Sequence, residues 1–376
     1  MRIVYCIAGT YNSGGMERVL ANKANYLVRH GYDVSIVTTD QCGRPPFFEL
    51  DERVRCYDLN IGYEDNNGKS FANKLIHYPL KQWRHKRRLS ALLSRLKADV
   101  VISMFCNDVS FITRINDGSR KLLEIHFSRF KRLQYGRKGF WRWADSYRYY
   151  QEAALVRKFS RFVVLTDEDK VYWGDMDNIR VIPNPLSFTL PSPAVLTGKK
   201  VIAIGRYSYQ KGFDSLIAAW RKVCDCISGW TLHIIGDGEL RETLQQQIET
   251  LCLENEVFLE KPTTDMLSVY QNGALFVMSS RYEGLPMVLL EAQAAGLPIV
   301  SFACKCGPKD VITDGVDGLL VEDGNIDALA EALLHMMRDE DLRRKMGQAA
   351  YEHSKRYDES VVMKKWTDLF AEIVAS

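Results

Sequence analysis

Two cations lie in a segment whose residue types suit the binding of a diphosphate. Arg206 and Lys211 stand in the sequence Ile-Gly-Arg-Tyr-Ser-Tyr-Gln-Lys-Gly, directly after an apolar run that predicts a strand. At the carboxyl end of a strand, a guanidinium can bind phosphate oxygens through its forked N–H donors, and an ammonium can bind them as a point charge. Solvent-exposed charge is the alternative interpretation of this pair.

A carboxylate precedes a predicted helix in the segment Glu-Gly-Leu-Pro-Met-Val-Leu-Leu-Glu, which begins at Glu283. Pro286 suits the first helical turn, where its missing N–H costs nothing, and Gly296 suits the C-terminal stop. This pattern places Glu283 in a loop beside the free amides around Leu285 to Val288, where an anion can bind. A capping acid is the alternative interpretation.

A second carboxylate, Glu291, lies inside the same predicted helix among Met, Val, Leu and Ala. Such a group is costly in apolar surroundings unless it receives strong hydrogen-bond donors. A pair of vicinal hydroxyls, such as those of a ribose, would supply two donors. The alternative is a core acid that the backbone satisfies.

Paired glycines, Gly14 and Gly15, form the turn that follows the predicted first strand. Glycines allow backbone amides to approach a phosphate or sugar closely. This signal is weak alone, as is the Ile-Ile-Gly-Asp-Gly segment at 234–238. His126 follows another predicted strand, where it is either a polar contact for a ligand or a satisfied core histidine.

Strands and helices alternate along both halves of the chain, which predicts an α/β fold with two parallel, doubly wound sheets. Residues 183–198 hold four prolines and no charge, and they are the predicted linker. The first domain then spans 1–182, the second spans 199–357, and a helix over 358–376 returns to the first domain. The predicted strands are 2–8, 33–38, 99–104, 121–125, 162–165, 180–182, 200–204, 231–235, 257–259, 274–278, 299–302 and 319–321.

These motifs, in this order and spacing, resemble the retaining glycosyltransferases of family 4, which have the GT-B fold. The resemblance covers essentially the whole chain, and it implies two Rossmann-like domains that face each other across a cleft. A nucleotide sugar, with UDP favoured, would bind to the second domain. The matching segments are Gly205-Arg206…Lys211-Gly212, Gly236-Asp237-Gly238, Glu283…Glu291 and Gly307-Pro308.

The resemblance also implies a role for each matching residue. The implied donor-binding residues are Arg206 and Lys211 for the diphosphate, Glu291 for the ribose, Glu283 with the amides of Gly284 and Leu285 for the transferred sugar, and Gly14 and Gly15 over the phosphates. His126 would face the sugar and, with Glu283, carry the catalytic role. Cations and helix dipoles can stabilise the leaving diphosphate, so neither a metal nor a cofactor is expected.

The expected function is the transfer of a hexosyl or N-acetylhexosaminyl group, with retention of anomeric configuration, to a growing glycan. A polyprenyl-diphosphate-linked acceptor in surface polysaccharide or capsule synthesis fits this expectation. A nucleotide-sugar epimerase or sugar phosphorylase on the same scaffold is the alternative, and a non-catalytic binding protein is a third. The strings at 167–169 and 175–177 have the Asp-x-Asp form of a metal site, but Thr166 resembles a helix N-cap before the first of them.

The balance of charge differs between the two halves. Residues 1–180 contain 31 Lys and Arg against 20 Asp and Glu, whereas residues 181–376 contain 19 against 27. Nine Lys or Arg lie in 69–97 without an acid, and nine more lie in 129–158 among aromatic residues. This pattern favours an anionic membrane surface over a solvated basic face. No nucleic-acid motif accompanies the charge, so no nucleic-acid partner is expected.

The composition also bears on the cellular compartment. Nine cysteines scattered over 376 residues indicate a reducing cytosol rather than a disulfide framework. Polar residues, Gly or Pro interrupt each long apolar stretch, so no membrane-spanning segment is expected. We therefore expect a cytoplasmic protein that is peripheral on the inner face of the plasma membrane.

Overall fold

The computed structural model describes residues 1–66, 71–129, 150–186, 188 and 192–375. The chain forms two compact units, each with its own sheet. Unit 1 comprises the chain up to Leu165, Lys170–Ile182 and the chain from Met363 onward, and unit 2 comprises Thr166–Asp169 and Pro183–Val362.

Unit 1 contains a parallel sheet with seven strands in the described ranges. They are β1 (Arg2–Ile7), β2 (Asp33–Thr38), β3 (Arg55–Asp58), β4 (Val100–Ser103), β5 (Arg120–Glu124), β6 (Arg161–Val164) and β7 (Ile179–Val181). Their order across the sheet is β3-β2-β1-β4-β5-β6-β7. The strand order therefore reverses between β1 and β4, and the loops at the carboxyl ends of these two strands diverge from that point.

Unit 2 contains a second parallel sheet, with six strands among the residues described. They are β8 (Lys200–Ile204), β9 (Thr231–Ile235), β10 (Val257–Glu260), β11 (Leu275–Met278), β12 (Ile299–Phe302) and β13 (Gly318–Val321). The order β10-β9-β8-β11-β12-β13 reverses between β8 and β11. Strands β11 and β12 are buried throughout, as expected for a parallel sheet that is covered on both faces.

Helices cover the two sheets. They are α1 (Gly15–Arg29), α2 (Phe71–Leu96), α3 (Asp167–Trp173), α4 (Phe213–Cys224), α5 (Arg241–Thr250), α6 (Met266–Gln271), α7 (Met287–Ala294), α8 (Pro308–Val311), α9 (Ile326–Arg338), α10 (Glu340–Ser354) and α11 (Glu359–Ala375). Residues 150–156 are also helical. Helix α11 belongs to unit 1 from Met363 onward.

The predicted α/β architecture with two parallel sheets is confirmed, and the main deviation is one strand. Strand β3 was not predicted, because its sequence Arg-Cys-Tyr-Asp is short and lacks an apolar run. It lies at the edge of the sheet, where one neighbouring strand and a partly exposed surface suffice. Hydrophobic patterning does not detect such strands.

The predicted ends of α7 are correct at one terminus and shifted at the other. Pro286 is not in the first helical turn: it is the N-cap residue in an extended conformation, and the helix begins at Met287. Gly296 ends the helix as predicted, with φ +70°. The N–H of Gly296 donates to Gln293 O and that of Leu297 to Ala292 O, which is the Schellman pattern.

The segment predicted as a linker packs on unit 2. The N–H of Leu186 donates to the carbonyl of Tyr357 over 2.8 Å, and the N–H of Ala194 donates to that of Ala295 over 2.8 Å. Leu186 and Leu196 are buried. Its described residues therefore follow the surface of one unit.

Candidate functional site

The predicted donor-binding residues of unit 2, apart from Glu291 in α7, lie on loops that begin at the reversal of strand order. The loop after β8 carries Arg206 and Lys211, and the loop after β11 carries Glu283. Strands β8 and β11 are neighbours in the sheet. Ligands of open α/β sheets bind outside the carboxyl ends of the strands at such a reversal, so this position is the candidate site.

Lys211 and Glu283 form an ion pair at this position. The Lys211 Nζ lies 2.7 Å from Glu283 Oε1, and the two side chains are 17% and 8% exposed. The pair joins two loops that are 72 residues apart in sequence. The Lys211–Glu283 pair is only partly exposed. A phosphate oxygen would therefore bind the lysine in a region from which most water is already excluded.

Backbone packing holds Lys211 against the carboxyl end of β11. Ser279 Oγ donates to the carbonyl of Lys211 over 2.9 Å. Gly212 has φ +62°, and a Cβ there would lie 2.2 Å from the carbonyl oxygen of Ser279. A Cβ at Gly205 would come within about 3.0 Å of the Lys211 side chain. The two predicted glycines thus leave room for the lysine stem and for the neighbouring strand.

The loop that carries Glu283 is fixed on both sides. The N–H of Glu283 donates to Lys305 O over 3.2 Å, and Gln210 Nε2 donates to Tyr282 O over 3.0 Å. A Cβ at Gly307 would lie 2.3 Å from Pro286 Cδ. Glycine is therefore required at the predicted Gly307-Pro308 segment for close packing against the loop.

Unpaired amides lie next to Glu283 at the start of α7. The N–H groups of Gly284, Leu285, Met287 and Val288 donate to no group in the part of the chain that the structure describes. Helix α7 has eight residues, so its first turn adds a positive end to these donors. The carboxylate of Glu283 and these amides together can accept from and donate to the hydroxyls of a sugar.

Glu291 is buried in α7, as its apolar surroundings predict, and a tyrosine binds it. Its side chain is 4% exposed, and Tyr270 Oη donates to Glu291 Oε2 over 2.8 Å. Tyr270 lies on α6 and is itself fully buried. The Tyr270 hydroxyl thus supplies a hydrogen bond of the kind that was expected from a ribose hydroxyl.

Arg206 follows β8 but does not join the ion pair. Its residue is exposed, and its guanidinium makes no hydrogen bond or ion pair with the described residues. Tyr207, next to it, is fully buried and donates through its hydroxyl to the carbonyls of Ile234 and Glu260. The loop is therefore anchored at Tyr207, while Arg206 extends from it into solvent.

The remaining predicted residues belong to unit 1. Gly14 is the N-cap residue of α1 and Gly15 is its first residue, directly after the loop that follows β1. Nothing lies within 4 Å of a Cβ built on Gly15. His126 follows β5 with its side chain 7% exposed, and its Nε2 lies 3.1 Å from Glu124 Oε1.

The described residues give little support for a metal site at either Asp-x-Asp string. Thr166 Oγ1 accepts from the N–H of Asp169 over 3.1 Å, so the predicted N-cap explains the first Asp-x-Asp string. Across the described ranges, no three His, Cys, Asp or Glu side chains come together as an ion site. Metal independence stays a prediction.

Three buried residues that lie next to the predicted site residues or bind such a neighbour were not identified from the sequence. Lys23 and Glu124 form an ion pair in unit 1, beside His126, and Tyr270 binds Glu291. A signal for Lys23 existed, since it occupies the apolar face of an otherwise amphipathic helix, between Leu20 and Leu27. Nothing in the sequence around Tyr270 distinguishes it from an ordinary core aromatic.

Both halves of the chain match family models. Residues 13–188 match Glycosyltransferase Family 4, and residues 191–353 match Glycosyl transferases group 1. The amylovoran biosynthesis glycosyltransferase AmsD of Erwinia amylovora is 29% identical over 388 residues, which cover 98% of this chain and 99% of the relative.

Two further likenesses extend over the full chain. A Campylobacter jejuni enzyme, the GalNAc-alpha-(1->4)-GalNAc-alpha-(1->3)-diNAcBac-PP-undecaprenol alpha-1,4-N-acetyl-D-galactosaminyltransferase, is 28% identical over 99% of both chains. The crystal structure of HepE from Anabaena in complex with UDP has a TM-score of 0.76 at 18% identity, and the match covers 99% of this chain and 100% of that one.

The fold and the two family matches define a glycosyltransferase with the GT-B fold. The chain belongs to the GT-B glycosyltransferases of the family 4 type, as the resemblance in its motifs predicted.

Proposed function

We propose that this protein transfers a sugar from a nucleotide-sugar donor, with UDP as the favoured nucleotide, to a hydroxyl of a lipid-linked glycan, and that it does so with retention of configuration. The observation that carries the proposal is the Lys211–Glu283 pair beside the unpaired amides at the start of α7. These groups supply positive charge for a diphosphate and hydrogen-bond partners for a sugar.

The donor site follows from the chemistry of these groups. Lys211 and the exposed Arg206 bind the diphosphate, and the amides of Gly284 and Leu285 bind the transferred sugar together with Glu283. Departure of the nucleoside diphosphate creates negative charge on its terminal phosphate, which cations and helix dipoles stabilise. Glu291, buried beside Tyr270, accepts from the ribose hydroxyls.

Retention requires the new bond to form on the face that the leaving group vacates. As the C1–oxygen bond to the diphosphate breaks, C1 acquires oxocarbenium character and the acceptor oxygen attacks from that face. The departing phosphate oxygen takes the proton of the acceptor hydroxyl, so no protein nucleophile and no metal is needed. UDP is favoured because the HepE complex, which shares the fold, holds UDP.

Names of the relatives support the acceptor class. The relative from Erwinia amylovora is named for amylovoran biosynthesis, and the one from Campylobacter jejuni for an undecaprenol-diphosphate-linked glycan. We therefore place the protein in bacterial surface polysaccharide synthesis. A capsular glycan is one such product.

A lipid-linked acceptor also needs a membrane-facing surface, and α2 offers one. Leu80 and Trp83 are 61% and 62% exposed, and the Arg87 guanidinium lies 5.5 Å from the centre of the Trp83 ring. Leu80, Trp83 and Arg87 are spaced as one face of a helix. Apolar rings among cations suit an anionic lipid surface, where they bind peripherally. The second basic segment, at 129–158, lies mostly outside the described residues.

Nucleotide release tests the donor assignment. The enzyme is mixed with a panel of nucleotide sugars and a polyprenyl-diphosphate-linked glycan, with and without EDTA. We expect UDP release that depends on acceptor and is insensitive to EDTA, and an α-configured product by NMR from an α-linked donor.

Glu291→Ala should abolish donor binding in calorimetry. Donor consumption without acceptor would instead indicate an epimerase, and a need for inorganic phosphate would indicate a phosphorylase.

Vesicle flotation tests the membrane surface. Leu80→Ser with Trp83→Ser should lower recovery with anionic vesicles, and recovery of the wild type should fall with salt because the attraction is electrostatic. Val171→Ser is the matched control, since Val171 is 75% exposed on α3. Equal recovery with neutral and anionic vesicles would contradict the electrostatic part of the proposal.

A further inference from the structure

Unit 1 contains an ion pair that is withdrawn from solvent. Lys23 on α1 and Glu124 at the end of β5 each have a side chain 1% exposed. The Lys23 Nζ lies 2.7 Å from Oε1 and 2.6 Å from Oε2 of Glu124. Burial of two charges costs several kcal/mol per ion and is recovered only with good geometry. A pair of this kind is weak evidence for a purely stabilising role.

Aromatic rings enclose the lysine of this pair. The Lys23 Nζ lies 3.4 Å from the centre of the Trp366 ring and 5.4 Å from that of Tyr5. Trp366 lies on α11 and Tyr5 on β1, so the last helix helps to seal the ammonium. Burial lowers the pKa of Lys23 to about 8, although the Glu124 charge opposes this.

Glu124 also faces the predicted catalytic histidine. Its Oε1, which accepts from Lys23, lies 3.1 Å from His126 Nε2. Both ring nitrogens of His126 are buried and neither makes a hydrogen bond in the described ranges, so Glu124 acts on Nε2 through its charge at 3.1 Å. A carboxylate next to Nε2 favours the tautomer that carries its proton there, and this leaves the Nδ1 lone pair free to accept. Nδ1 is thus a buried acceptor atom that no group among the described residues satisfies.

We propose that Lys23 and Glu124 are positioning residues for His126, which hold its imidazole in the Nε2–H tautomer and present Nδ1 to a hydroxyl of the substrate. Glu124 selects the tautomer, and Lys23 holds the Glu124 carboxylate in place through hydrogen bonds to both of its oxygens. The inference rests on the proposed function, because it assumes that His126 contacts substrate. Its tautomer component can be measured without any activity.

The NMR test uses the free full-length protein with 15N-labelled histidine, with His126→Gln to assign the signals. We expect His126 to show a protonated Nε2 in the wild type. Lys23→Met combined with Glu124→Leu should shift its 15N signals to those of a mixture of tautomers. Identical His126 signals in the two proteins would overturn the proposal, whether or not a donor has been found.

A matched control lies on the same strand. Lys121, at the other end of β5, forms an ion pair with Asp117, and their side chains are 7% and 0% exposed. Lys121→Met combined with Asp117→Asn removes a buried pair that does not face His126. This control should leave the His126 signals unchanged, and a change as large as that of the Lys23/Glu124 variant would overturn the proposal.

Kinetics then separate positioning from a structural effect. We expect the Lys23→Met, Glu124→Leu variant to lower kcat by about 10- to 100-fold, the range seen when groups that orient a reactive histidine are removed. Calorimetric affinity for UDP should stay within about twofold, because the predicted nucleotide-binding residues other than Gly14 and Gly15 belong to unit 2. In a His126→Ala background the same double substitution should lower kcat no further. Additive losses would assign the pair a structural role and overturn the proposal. An impaired but measurable His126→Ala with additive losses counts against positioning alone, whereas a fully active His126→Ala counts against the proposed role of His126.

Discussion

Two lysine–glutamate pairs, one in each unit, have almost the same length and very different surroundings. Lys211 and Glu283 lie 2.7 Å apart with exposed fractions of 17% and 8%, while Lys23 and Glu124 lie 2.6 Å apart with 1% each. The first pair joins two loops at the carboxyl ends of β8 and β11, where a ligand can replace one partner. The second is enclosed by aromatic rings, so neither charge can exchange partners. Exposure therefore separates a pair suited to binding substrate from a pair suited to holding its neighbours in place.

Breaking the buried pair from one side should have the largest effect. Lys23→Met leaves the Glu124 carboxylate uncompensated, so the free energy of unfolding should fall by about 3–5 kcal/mol. Adding Glu124→Leu should restore most of that loss. Urea denaturation at pH 7.5 measures both variants. A single variant as stable as the wild type would contradict the burial of the pair.

Breaking the less buried pair should change activity more than stability. Lys211→Met should lower the rate of nucleotide release by about 10²- to 10³-fold, since it removes a charge that acts on the leaving group. The free energy of unfolding should fall by about 1–3 kcal/mol, because Glu283 is left without its cation at only 8% exposure. Lys222→Met, which removes an exposed ion pair with Asp327 in the same unit, is the control. Loss of rate below tenfold would contradict the diphosphate assignment.

The buried Lys23–Glu124 pair should also make the free energy of unfolding fall at acidic pH. Burial alone would raise the pKa of Glu124, but Lys23 and His126 hold it at about 2. The unfolded chain, with a glutamate pKa of about 4.3, binds more protons between these values, so stability falls as the pH drops from about 5 to about 2. This component amounts to about 3 kcal/mol. Acid titration of the Lys23→Met, Glu124→Leu variant should lack it, and equal slopes for the two proteins would refute it.

Asp108 is a buried carboxylate that forms no ion pair with the described residues, and it should behave in the opposite way. Asp108 is 1% exposed, and neither of its carboxylate oxygens has a hydrogen-bond partner among the described residues. Burial raises its pKa to about 6. The folded state then binds more protons between about 4 and 6, so stability falls as the pH rises through this window. Asp108→Asn should gain about 3 kcal/mol at pH 7.5 and little at pH 4. The same gain at both pH values would contradict this account.

The smallest effect concerns the partner of Glu291. Tyr270→Phe removes the hydroxyl that donates to Glu291 over 2.8 Å. We expect a loss of about 1–2 kcal/mol in unfolding free energy and a weakening of UDP binding by a few fold, because the carboxylate loses one constraint. Calorimetry measures the affinity, with Tyr351→Phe on α10 as a control. Unchanged affinity would separate Tyr270 from the ribose site.

Local patterns were sufficient for the architecture and for the loops of unit 2. Apolar runs indicated all but one of the strands, since buried parallel strands are continuous hydrophobic segments. Gly296 indicated the end of α7 because a left-handed residue there favours glycine. Strand β3 and the position of Pro286 were not predicted correctly, because an edge strand and a cap depend on neighbours that are distant in sequence.

The sequence alone determined which residue types follow β8 and β11, the strands between which the strand order of unit 2 reverses. Those residue types indicated the family and the class of reaction. Only the tertiary structure decided which charges meet. Lys23 and Glu124 are 101 residues apart, and Trp366 comes from the last helix. Each is unremarkable in its own segment, since the cost of a buried charge and the partner that offsets it appear only when distant elements pack together.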